Sequence, residues 1–401
     1  FGRLGRVQAK PDTKTTNSYV HLLRAASNLF KPEELDRIAP RVRGSKRLES
    51  PGSMPKDPIS GTEAIAYDFL GKGGKYARPF ITLAVYDALT GGHGTGAQGA
   101  QHIAKFPDAV RRAAMSIETF HKASLVHDDI EDDDRFRYGE ETLHRRYGLS
   151  TAINVGDYLI GMGYRLVSRE SKTLGADTVA DILDGLADAH LRLSEGQGAE
   201  LLWRDAGDKR LTPLDALKIY ALKTSPAFEA ALFSGIRLAG PVDEYREPIR
   251  HFARNMGVAF QILNDLNDWR GDNHNKLAIG GDILGGRPTV LWALALEGLP
   301  AEKQAELLSL IQATEDSATL RVARVRELYE EAGVFEKAMR LIEKHHERAT
   351  DVARKIQPAA LQRLMLYLLD TVLEMPAEPS PVPAPAAESP PISLVSIRVP
   401  Q

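Results

Sequence analysis

The chain contains no cysteine. Disulfide bonds, thiolate metal ligation and cysteine nucleophiles are therefore excluded, and a reducing compartment is compatible with the sequence. No stretch approaches the ~18 uninterrupted apolar residues of a membrane span. The first dozen residues, which begin at Phe1 rather than Met, hold no apolar signal core. The expected location is cytoplasmic. A surplus of charge is also missing: 51 lysines and arginines nearly balance 54 aspartates and glutamates, for a net charge of -3. No broad basic field marks a nucleic-acid binder. Convincing alternating strands and a repeat of fixed period are absent as well.

What is present is a 401-residue chain, 43% hydrophobic and 26% charged, enough for one large domain or two smaller ones. Residues 1–60 are mixed, with the basic cluster RVRGSKR and the turn-rich SPGSMPKDPISG, and read as an N-terminal extension. Within it SYVHLLRAASNLF has the pattern of one short helix. The segment AIAYDFLGKGGKYARPFITLAVYDAL carries two helical patterns around a glycine break at Gly71, Gly73 and Gly74. From about residue 108 to 375 apolar residues recur every three or four positions in long runs, such as VRRAAMSIETFHKASLVH and IRHFARNMGVAFQILNDLNDW. The expected organisation is an all-α domain over 61–375, followed by a Pro/Ala-rich tail over 376–401 that is disordered or polyproline-like.

The chemistry concentrates in SLVHDDIEDDDRFRYG. Six carboxylates (Asp128, Asp129, Glu131, Asp132, Asp133, Asp134) fall within seven residues. A second acidic motif, FQILNDLNDWRGD, spaces Asn264, Asp268 and Asp272 at i, i+4 and i+8, one stripe of a helix. Taken alone, such a run is a solvated helix face or loop. Facing carboxylates in a cavity, in contrast, need neutralising charge. Oxygen ligands without cysteine or paired histidines suit Mg²⁺. An EF-hand calcium loop does not fit, because its sixth position demands glycine and finds Asp133, Asp134 or Arg137 here. Cations stand in the intervals: Lys75 and Arg78 beside the glycine break, His121 seven residues before Asp128, Arg137, Lys223, Lys276 and Arg287. Each alone reads as a surface group. Together they suit two polyanions, one bound through metal and one directly on Lys and Arg.

These residues resemble the trans-isoprenyl diphosphate synthases, or polyprenyl synthetases. GGKYARP is similar to the family's GGKRxRP, and HKASLVHDDIEDDD to HxxSLxHDDxxDDD. EGQG at Gln197 and KTS at Lys223 and Thr224 match the next two signatures. GVAFQILNDLND resembles GxxFQxxDDxxD, and GGRPTVLWALALEG the final signature. Six signatures keep their order across roughly 61–370; the N-terminal extension and the tail are not covered.

The resemblance implies an isoprenoid synthase-type antiparallel helical bundle around a central cavity, with the two aspartate motifs facing across its mouth. It implies three Mg²⁺ ions, an allylic prenyl diphosphate and isopentenyl diphosphate as substrates, and a homodimer. By position Asp128 and Asp132 hold two metals, with Asp129 in the same motif, and Asn264 with Asp268 the third. Arg137, Lys223 and Lys276 contact the allylic diphosphate. Lys75, Arg78 and His121 hold isopentenyl diphosphate, and Thr224 and Gln261 lie near the carbocation. Ser124, Ala123 and Phe120 stand four, five and eight residues before Asp128. They would line the tunnel, with Phe120 as a floor ~12 Å down, and set a product of C20 or somewhat longer.

Departures from the family pattern leave alternatives open. Asn264 stands where Asp is usual, Tyr138 where a second arginine is usual, Glu141 for proline and Arg287 for lysine. A class I terpene cyclase has a metal motif with the Asn264–Asp268–Asp272 spacing and needs no isopentenyl diphosphate site, but would not keep Lys75, Arg78 and His121. A non-catalytic subunit of a heteromeric synthase would ordinarily lose an aspartate motif, whereas both are retained here.

Overall fold

The structure, a computed structural model, describes residues 18–50, 52–269, 280–312 and 318–373. Among these, helices account for nearly all regular structure. The labelled helices are α1 (Val20–Asn28), α2 (Pro58–Leu70), α3 (Ala77–Leu89), α4 (Asp108–Glu131), α5 (Leu149–Ser168), α6 (Ala176–Asp205), α7 (Pro213–Lys223), α8 (Ser225–Ala239), α9 (Arg246–Asp268), α10 (Val290–Gly298), α11 (Val334–Lys355) and α12 (Ala359–Val372).

Periodicity dictates the long members. On α9 the buried residues Ile249, Phe252, Ala253, Met256, Leu263 and Leu266 recur at three- and four-residue steps. α11 packs on it with the buried Ala338, Ile342, Ala349 and Ala353, three of the four small. α4 lies along α5, and α8 packs on α3, α6 and α9. Local chemistry sets several starts. Asp57, Thr212 and Thr289 accept backbone N–H groups at the N-termini of α2, α7 and α10, and Pro58 and Pro213 occupy first-turn positions.

Residues 18–50 belong to the same core. Tyr19 stacks on Tyr367 at 4.4 Å, and Leu22, Ala26 and Phe30 are buried. Glu63 of α2 accepts the backbone N–H groups of Val42 (2.6 Å) and Ser45 (3.1 Å). One strand pair interrupts the helices. Phe136–Arg137 pairs antiparallel with Glu140–Glu141 through a turn at Tyr138 and Gly139, whose φ values are 56° and 80°. Two consecutive left-handed residues are what a tight primed hairpin turn requires. The tail over 376–401 lies outside the described residues.

Candidate active site

A cavity of ≈ 350 Å³ runs beside α4. The helix supplies Ile117, Phe120, His121, Ser124, His127, Asp128 and Glu131, a stripe at three- and four-residue steps. Phe120 and Asp128 are therefore separated by ~12 Å along the axis. Apolar lining comes from Ile160, Leu186, Leu193, Ala227 and Ala230, and His190 also lines the cavity. The Asp128 end is polar, with Gln197, Lys223 and Arg78 on the facing walls. Phe120 meets Tyr164 edge-on at 4.7 Å and His190 at 5.9 Å. Gly163 makes this possible, since a Cβ there would come within 2.8 Å of the ring. Ser124 faces the cavity and is exposed, whereas Ala123 is buried in the core and is not among the cavity-lining residues.

The first acidic motif divides its carboxylates among three environments. Asp129 is 2% exposed and binds Arg137, whose Nε donates at 2.9 Å. That pair ties the hairpin to the end of α4. Asp132 is gripped by Arg204 and Arg287, each at 2.8 Å. Asp128 faces the cavity with no ion pair among the described residues. Burial pushes its carboxyl up to about 7; the Lys223 charge works against the shift, and Glu131 and Asp132 add to it.

Two contacts of the second motif come from neutral donors. The Tyr220 hydroxyl donates to Asp265 and accepts the Val290 N–H at 2.7 Å. Asp268 accepts the Asp282 N–H at 3.1 Å. Arg287 joins the two motifs, because it also lies 3.5 Å from Asp282 while holding Asp132. Asn264 sits part-buried one turn before Asp268. Lys276 and Asp272 lie outside the described residues.

The remaining cations differ in their freedom. Lys223 is paired with Glu200 at 2.7 Å. Thr224, at the junction of α7 and α8, donates to Gln261 at 3.3 Å. Lys75 is exposed beside the glycine turn. Arg78 reaches the cavity wall from the first turn of α3, with Glu118 as its electrostatic partner. His121 is driven well below its ordinary range by burial and by the charges of Arg78, Lys122 and Arg137, so its imidazole is neutral.

Several site groups are not singled out by spacing to the acidic motifs. Glu200 and Arg204 follow Gln197 at i+3 and i+7 on α6, so that stripe was the available signal. Glu118 and Lys122 form an i, i+4 pair of opposite charge, which reads as an ordinary helix surface. Tyr220 offers no signal, since its partners are 45 and 70 residues away.

The donor set fits a hard divalent cation. The carboxylates are oxygen ligands, and among the described residues Asp128 makes no ion pair and the buried Gln197 Oε1 has no hydrogen-bond partner. Among the described residues no three His, Asp or Glu side chains converge to hold an ion unaided. That suits Mg²⁺, which completes its shell with water and substrate oxygens.

Comparison with known proteins gives a consistent result. The polyprenyl synthetase family model matches residues 61–331. The chain is 30% identical over 341 residues to an all-trans-nonaprenyl-diphosphate synthase (geranyl-diphosphate specific) of Rhodobacter capsulatus, covering 85% of this chain and 96% of that protein. It is 28% identical over 297 residues to a geranylgeranyl diphosphate synthase of Sulfolobus acidocaldarius, covering 73% and 83%. In fold it is similar to the crystal structure of geranylgeranyl pyrophosphate synthetase from Pyrococcus horikoshii, with TM-score 0.71 and 24% identity over 90% of this chain and 100% of that one.

Proposed function

The chain belongs to the polyprenyl synthetase family, an all-α family of prenyltransferases, and from that premise we propose that its cavity condenses isopentenyl diphosphate head-to-tail with an allylic prenyl diphosphate. The observation that carries this reading is the cavity itself: a largely apolar lining with Lys223 and Arg78 on its wall and a carboxylate, Asp128, that makes no ion pair among the described residues.

The allylic diphosphate binds at the mouth near Lys223, Arg137 and Lys276. Asp128 and Asp132 on one side and Asn264 with Asp268 on the other would hold three Mg²⁺ ions, which would supply neutralising charge for the leaving diphosphate. Asp129 contributes by holding Arg137. The allylic C–O bond breaks with both electrons leaving on the diphosphate. Thr224 and Gln261 present neutral oxygens to the resulting carbocation, which they stabilise without being alkylated. Lys75, Arg78 and neutral His121 hold isopentenyl diphosphate so that its double bond supplies the electron pair of the new C–C bond. The adjacent proton departs, to the released diphosphate, and leaves the new double bond. The apolar walls exclude the water that would quench the cation.

The growing chain extends past Ser124 toward Phe120, which forms the floor and sets a product of C20 or somewhat longer. The protein works as a homodimer. Purified protein with Mg²⁺, labelled isopentenyl diphosphate and each of the dimethylallyl, geranyl, farnesyl and geranylgeranyl primers tests the reading. Elongation that vanishes in Asp128→Ala is expected. Cyclic hydrocarbon formed without isopentenyl diphosphate contradicts it. Phe120→Ala is expected to lengthen the longest product by at least one C5 unit, read by chromatography; an unchanged product distribution removes Phe120 as the floor.

A further inference from the structure

Beneath the glycine turn that precedes α3 lies a buried lysine with no part in the scheme above. Lys122 has no exposed surface. Its ammonium donates to the Lys72 carbonyl, to the Gly73 carbonyl at 3.0 Å and to the Tyr138 hydroxyl at 3.1 Å. The Tyr138 ring lies 4.2 Å beneath it. A Cβ on Gly74 would sit 3.6 Å from a Glu118 carboxylate oxygen and 3.8 Å from both the ammonium and the Tyr138 hydroxyl, so the turn rests on these three groups. Gly73 and Gly74 have φ values of 46° and 110°, a path that suits glycine.

Burying an ammonium costs several kcal/mol unless it is fully hydrogen-bonded. A turn that needed only closure would be closed by a neutral donor. The geometry here does something more specific. In a trans peptide the carbonyl of one residue and the N–H of the next point in opposite directions. Drawing the carbonyls of Lys72 and Gly73 onto Lys122 therefore turns the N–H groups of Gly73 and Gly74 away from it. Successive outward N–H groups in a turn form an anion cradle. Lys75 follows immediately, and Arg78 one helical turn later.

We infer that Lys122, braced by Tyr138, is a positioning residue that shapes the Gly73–Arg78 turn into the cradle for the diphosphate of isopentenyl diphosphate. This rests on the reading of Lys75 and Arg78 given above. It also assigns a task to Tyr138: its hydroxyl holds the ammonium in place, and a guanidinium at that position would repel it.

The test is a kinetic split combined with direct binding. Lys122→Met is expected to raise the KM for isopentenyl diphosphate, and its calorimetric Kd, about tenfold, as loss of charge-assisted hydrogen bonds implies. The KM for the allylic substrate and kcat should stay within twofold. The double variant Lys122→Met/Tyr138→Arg returns one positive charge to the same pocket and should recover most of the loss. Affinity for isopentenyl diphosphate within twofold of wild type in Lys122→Met, while Lys75→Ala weakens it, overturns the inference and leaves the proposed site intact. Unchanged affinity in Lys75→Ala overturns both. A folded double variant with no recovery places the effect in packing and also overturns it. Should Lys122→Met not fold, as thermal melting would reveal, Tyr138→Phe decides: a two- to threefold rise in KM is expected, and none contradicts the inference.

Discussion

The two acidic motifs share the i, i+4 spacing and each ends a long helix, yet they are wired differently. In the first, Asp129 and Asp132 are met by guanidinium groups and Asp128 makes no ion pair among the described residues. In the second, Asp265 and Asp268 accept from a tyrosine hydroxyl and a backbone N–H, and the leading position is the neutral Asn264. Within the described residues the first motif therefore holds two of its carboxylates on guanidinium groups and leaves Asp128, which feels the Lys223 charge but makes no ion pair, facing the cavity. Equal spacing does not imply equal duty. What decides is the donor that each carboxylate meets.

The largest expected effect comes from breaking the first half. Asp128→Ala should lower turnover about a thousandfold, the scale seen when a principal charge-stabilising group is removed. Steady-state elongation with circular dichroism as a folding control measures it. An effect under tenfold would put the two motifs on an equal footing. The comparison is sharpened by restoring charge to the second half. Asn264→Asp should lower the Mg²⁺ concentration for half-maximal activity about fivefold, since a carboxylate binds the cation more strongly than an amide oxygen. The same substitution places like charges at i, i+4 with Asp268 and should cost a few tenths of a kcal/mol without metal. The smallest effect belongs to Tyr220→Phe. It leaves Asp265 and the Val290 N–H each short of one partner, at a cost of about 1–3 kcal/mol of stability. Its activity should fall only a few-fold, because Asp265 is not placed among the metal ligands. Denaturant unfolding beside the elongation assay separates the two quantities.

Much of this contrast was legible in the residue order. The helices follow from apolar steps of three and four, and the α4 stripe from Phe120 through Ser124 to Asp128 follows from the same period. The glycine break before α3 announced the turn that carries Lys75 and Arg78. Less was legible in residues 18–50. The helical pattern at 18–30 is legible, but the segment reads as an extension, while Tyr19 stacks against Tyr367 from the far end of the described chain. A short amphipathic helix does not name the surface it packs on, so only the tertiary contact joins it to the core. The pairing of each carboxylate was not legible either. Arg204 and Arg287 reach Asp132 across 72 and 155 residues, and no local pattern encodes such a pairing. The hairpin at Phe136–Glu141 was hidden because two-residue strands are too short for alternation to show.

The claim that Asp128 is the carboxylate of the first motif left to bind the cation is tested most directly by calorimetric titration of Mg²⁺. The protein would be saturated with an unreactive allylic thiolodiphosphate. The expected result is tight binding to wild type, loss of at least a hundredfold in affinity in Asp128→Ala, and a gain in Asn264→Asp. Wild-type affinity in Asp128→Ala would contradict the account.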